Sequence, residues 1–121
     1  WGLNKLYERI HHEFDDEKGH ATALIERILF LEGTPDLTTR DPIHIGVDVP
    51  AMLKSDLQLE YDVATALRKV IALCEQHQDY QTREILEKLL DDTEDDHAYW
   101  LEKQLRLIDL VGVPNYLQSQ L

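Results

Sequence analysis

The sequence predicts an all-α fold, three long amphipathic helices and a short C-terminal one. Apolar residues recur at three- and four-residue steps through three stretches of about thirty residues. Only five Gly and four Pro interrupt the 121 residues. No strand is expected anywhere in the chain. The length suits one domain, residues 1–121, with a single core.

The first helix is expected over about 1–32. Leu3, Leu6, Ile10, Leu24, Ile28 and Leu31 keep one face inward, and Gly33 stops it. Residues 34–48 carry Pro35, Pro42 and Gly46 among polar residues, the pattern of a long crossover running from one end of a bundle to the other. Pro50 suits a first helical turn and Asp48 the cap before it, so a second helix is expected over 49–77. Its seam runs Leu53, Leu57, Glu60, Ala64, Leu67, Ile71 and Cys74, with Glu60 out of character. A third helix, 80–111, carries Ile85, Leu86, Leu89 and Leu90, then Leu101, Leu105 and Ile108, and ends at Gly112. Pro114 opens a last short helix, 114–120, whose Tyr116 and Leu117 can dock on neighbours. These lengths and this connectivity match a four-helix bundle that lacks one helix, so part of each apolar stripe should seek a further partner.

Twelve Lys and Arg against twenty-four Asp and Glu give a net charge of -12 and a pI near 4.7. Such a surplus repels phosphate backbones and draws cations, which argues against a nucleic-acid partner. Cys74 is the only cysteine, so no intrachain disulfide can form, and a reducing cytoplasm fits. No run of about 18 apolar residues suits a membrane span. Because the first residue is Trp1, residues ahead of it are expected to have been removed or never recorded.

Three Glu-x-x-His pairs occur, at Glu8 and His11, Glu17 and His20, and Glu94 and His97. Each sets a carboxylate and an imidazole one helical turn apart, able to grip one metal ion. With eleven Glu and six His in the chain, roughly half an accidental match is expected, and helical phase separates accident from design. Residues 8 and 17 lie about 900° apart at 100° per residue, on opposite faces. Glu17 and His20 share the seam of Ile10, Leu24 and Leu31, so Glu8 and His11 face outward. By the same test Glu94 and His97 continue the line of Leu90, Leu101, Leu105 and Ile108. Three glutamates and two histidines thus interrupt three apolar stripes. Burying ionised carboxylates without partners costs several kcal/mol each, and bound cations would remove that cost. The alternative is that the seams are open enough for water to hydrate the acids. Carboxylates and imidazoles without thiolates suit iron or manganese, with zinc as a surrogate, and so many carboxylates imply two ions.

Residues 25–33 (IERILFLEG), 52–60 (MLKSDLQLE), 95–102 (DDHAYWLE) and 115–120 (NYLQSQ) resemble bacterioferritin at collinear spacing. The resemblance covers the whole chain and implies a ferritin-like four-helix bundle subunit with its first long helix missing. It further implies a 24-subunit cytoplasmic cage that oxidises Fe(II) with dioxygen or hydrogen peroxide at an intrasubunit di-iron centre, stores ferric mineral, and takes a ferredoxin as a partner for iron release. Homo-oligomeric and mixed-subunit cages both fit. Carried over by position, Glu17 and Glu94 would bridge the irons, His20 and His97 would be terminal imidazoles, and Glu60 a terminal carboxylate. The family's sixth ligand is a glutamate on the first helix, which this sequence does not contain. His12 and Asp16 match the family's inner-surface iron site; an ordinary exposed helix face is the competing reading.

In the family, a methionine just after the bridging glutamate holds haem between subunits. Here that position is Lys18, a poor axial ligand while charged, so haem is not expected and the likeness is to the non-haem branch. Two rival readings remain: another ferritin-like di-iron oxidase or peroxidase of the rubrerythrin kind, against which the missing CxxC iron site counts, and a catalytically inactive shell subunit. His44 and His77 have no partner at ligand spacing.

Overall fold

The computed structural model describes residues 1–121, and its regular elements are all helices, with no strand. Helix α1 spans Asn4–Phe30, α2 Val49–Gln76 and α3 Tyr80–Asp91. A π-helical turn, Asp92–Ala98, carries α3 into α4, Tyr99–Val111, without leaving the helical region, and α5, Val113–Ser119, closes the chain. No helix is long and apolar enough to cross a membrane.

Local chemistry sets the ends. The Asp48 carboxylate accepts the Ala51 amide at 2.8 Å, and Pro50 occupies the first turn of α2. Asp79 caps α3 through the Thr82 amide at 3.1 Å and also takes the Arg27 guanidinium of α1 at 3.1 Å, so one cap ties two helices. Both α1 and α2 end on a left-handed residue that is not glycine, Glu32 at φ 62 and Gln78 at φ 57. In each case the next amide reaches back, Gly33 to Ile28 and Asp79 to Cys74, both at 2.9 Å, capping orphan carbonyls. Gly33 therefore follows the left-handed position that Glu32 takes.

Residues 31–48 run without helix to the start of α2. The Ser55 hydroxyl donates to the His44 carbonyl at 2.7 Å, pinning this segment to α2. Gly46 lies so near that a Cβ would sit 2.1 Å from the Met52 amide nitrogen, which leaves room for no other residue.

Two apolar clusters hold the helices. Leu6, Val49, Leu53, Leu101, Ile108 and Tyr116 join α1, α2, α4 and α5, and the Tyr116 hydroxyl donates to Gln104 at 3.0 Å. Leu67, Cys74, Leu86 and Leu89 join α2 to α3, with Leu24 of α1 against them. Each fully buried leucine contributes about 1.5–3 kcal/mol relative to exposure. Outside these clusters Leu59, Val63, Val70 and Leu73 of α2 stay exposed, so that helix carries a second, uncovered apolar face beside its buried seam. Between the clusters, at mid-length, lies a polar band.

Candidate metal centre

Three helices supply that band. Glu13, Glu17 and His20 come from α1, Glu60 from α2, and Thr93 and His97 from the π turn; Thr93 and His97 are completely enclosed. Glu17, Glu60 and His97 each offer a ligand atom, all within 4.8 Å of one another. Glu17 Oε1 sits between two imidazoles, 3.4 Å from Nδ1 of His20 and 3.2 Å from Nδ1 of His97. Glu60 Oε1 is 3.7 Å from His97 Nδ1. The two rings stack with centroids 5.9 Å apart. Their outer nitrogens reach aspartates: His20 Nε2 is 2.9 Å from Asp92, and His97 Nε2 is 3.4 Å from Asp16.

His97 Nδ1 is buried and aligned for a hydrogen bond with neither carboxylate, though both lie within ion-pair distance. Such an orphaned atom, facing two carboxylates, is the coordination a cation supplies. Without metal, a proton serves. Glu17 and then Glu60 push the His97 imidazole up to about 11 against the opposing effect of burial. In return the His97 partner, with His20 beside it, holds Glu17 below the ordinary carboxylate range despite burial. A protonated His97 offsets part of the cost of placing Glu17 and Glu60 on the seams. Burial pushes the Glu13 carboxyl up, and Arg9, 3.0 Å away, offsets part of that.

Glu94 stands apart. The phase argument puts it on the inward line with His97, but its carboxylate pairs with Arg68 of α2 on the other side, beside Tyr61 and Thr65. That argument assumes 100° per residue. The wider π turn advances less per residue, so Glu94 comes out on the α2 side while His97 remains enclosed. His12 and Asp16 do lie together, with Nδ1 3.8 Å from the carboxylate, and Asp96 joins them within 4.8 Å. Arg9 also holds Asp96, at 2.8 Å. Lys18 extends its ammonium over the Phe14 ring, 5.6 Å from the centroid. Glu8 and His11 face solvent, and His11 turns to Asp15.

Residue typing alone missed Asp92, Asp96 and Arg68. An aspartate five positions before a candidate ligand histidine carries no signal unless the π turn is foreseen, and Asp92–Ala98 has five acidic or imidazole side chains in seven residues, a run that reads as solvated helix surface.

A family model described as a ferritin-like domain matches residues 1–111. The bacterial ferritin of Synechocystis sp. is 62% identical over 121 residues, covering all of this chain and 78% of the relative. The bacterial ferritin of Pseudomonas aeruginosa is 59% identical over the same span and share. A bacterioferritin of Brucella melitensis is 36% identical over 118 residues, 98% of this chain and 73% of the relative. With its helical bundle and its carboxylate and imidazole centre, the chain belongs to the ferritin-like family.

Proposed function

We propose that this chain is an iron-storage subunit that oxidises Fe(II) to Fe(III) at an intrasubunit di-iron centre and deposits the product inside a 24-subunit cytoplasmic cage. The observation that carries this reading is Glu17 Oε1 between two imidazole nitrogens at 3.4 and 3.2 Å, with Glu60 3.7 Å from the second. Names of relatives agree with it: three organisms' proteins carrying ferritin or bacterioferritin names span this chain almost entirely.

Fe(II) is here the substrate. Glu17 is the shared carboxylate, His20 and His97 the terminal imidazoles, and Glu60 a terminal carboxylate. Glu94 joins by rotating away from Arg68. Their pair is part exposed on both sides, and such pairs contribute about 0–1 kcal/mol, so the rotation costs little. Iron must displace the His97 proton, exchanging one positive charge for two at a cluster of acids. Two Fe(II) then give one electron each, which with two protons from solvent reduces dioxygen to hydrogen peroxide, or hydrogen peroxide to two waters. The net charge of -12 favours cations throughout, and His12, Asp16 and Asp96 offer the product a first foothold on the inner wall. Iron release draws on an electron donor such as a ferredoxin.

Ferrous titration under air, following ferric absorbance together with particle mass, tests this. Fast oxidation saturating near two irons per chain in a large cage supports the reading. A small particle with no saturable phase overturns it and favours an inactive shell subunit.

A further inference from the structure

Two imidazoles face the centre in the same sense, and each turns its far nitrogen to an aspartate on the other helix. From α1, His20 reaches Asp92 of the π turn at 2.9 Å. From the π turn, His97 reaches Asp16 of α1 at 3.4 Å. The crossing is reciprocal, and the π turn makes it so. In an α-helix residues 92 and 97 would stand about 140° apart; with i to i+5 bonding they return to nearly one side, both toward α1.

We infer that Asp92 is a positioning residue for His20: it accepts the Nε2 proton, fixes that tautomer and ring orientation, and so leaves the Nδ1 lone pair facing Glu17 for metal. A ligating imidazole carries its proton on the nitrogen opposite the metal, and an acceptor there selects that tautomer and holds the ring. Asp92 needs no contact with metal to do this. Its side chain is 59% exposed against 14% for His20, so solvent reaches the aspartate and the restraint falls on the ring.

The inference rests on the centre proposed above, and the test separates the two. Apo-protein is titrated anaerobically with Co(II) alone, read by its visible d–d absorption and by calorimetry, for wild type, D92A, D92N, H20A and the D92A/H20A double variant. D92A is expected to weaken one of two Co(II) ions by 10- to 100-fold and to alter the spectrum of that ion alone. D92N keeps an oxygen that accepts the same N–H, and should bind within a few-fold of wild type. In the H20A background D92A should have no further effect, because the ring it orients is gone. Wild-type binding by D92A alongside weakened H20A overturns the inference, as does D92N behaving like D92A. Equal loss of both ions with a lowered melting temperature would also overturn it, marking Asp92 as a general stabiliser. If wild type itself binds no Co(II) at this centre, the proposed function fails and takes the inference with it.

Discussion

Replacing Glu60 with Gln removes one negative charge and little volume, and the geometry sets the size of the result. Glu60 Oε1 is 3.7 Å from His97 Nδ1, His97 is fully enclosed, and the Glu60 side chain is only 13% exposed. At an effective dielectric of about 20, unit charges at that distance attract by about 4 kcal/mol, roughly a thousandfold in a proton-dissociation constant. In metal-free E60Q, His97 should therefore lose its proton one hundred to one thousand times more readily than in wild type, where it titrates at about 11. Histidine-selective 15N NMR across a pH series reads this directly. Glu17 outranks Glu60 among the causes, so E17Q should move His97 further still. Both variants should also bind Co(II) more weakly, since a lost ligand outweighs an easier deprotonation. If His97 titrates in E60Q within a factor of three of wild type, Glu60 does not face it and the centre is wrongly drawn.

Other expectations follow from the same contacts. Because His97 carries a proton that a metal must displace, Zn(II) binding at pH 7 should release about one proton per chain from that ring, and affinity should rise with pH; calorimetry in buffers of different ionisation enthalpy counts the proton. The raised His97 value makes its contribution to metal-free stability complete below about 6.5 and progressively lost as pH climbs toward about 11. The lowered Glu17 value makes its contribution complete above 4.5 and lost as pH falls. Thermal melts of apo-protein should accordingly peak between those limits, and bound Zn(II) should abolish the alkaline decline. R68Q frees Glu94 from its guanidinium partner, so it should tighten Co(II) binding two- to fivefold, a change within the range of one exposed ion pair; weaker binding would make Arg68 part of the assembled centre. Q78G relieves a left-handed glutamine at φ 57 and should stabilise by about 0.5–1 kcal/mol in denaturant melts, an unchanged midpoint contradicting the strain.

Much of this could be read before any coordinates. Seams at Ile10 to Leu31, Leu53 to Cys74 and Leu86 to Ile108 follow from periodicity, because burial of one face dominates helix energetics, and Glu17, Glu60 and His97 stood out as polar residues on them, one to each. Capping at Asp48 followed from side-chain chemistry alone. Glu94 was harder. Its position depends on a change of helical pitch over Asp92–Ala98, which is fixed by tertiary fit and leaves no mark in hydrophobic period. The same change conceals Asp92, since its partner lies 72 residues away on another helix. Left-handed ends at Glu32 and Gln78 were also illegible, as neither residue type advertises that conformation.

The most direct test of the iron centre is anomalous diffraction from crystals of the protein soaked in Fe(II) without oxygen. Two iron peaks about 3.5–4 Å apart, held by Glu17, Glu60, His20 and His97 with Glu94 turned inward from Arg68, are the predicted result. Iron found only at His12, Asp16 and Asp96, or no ordered iron between the two imidazoles, would contradict the account.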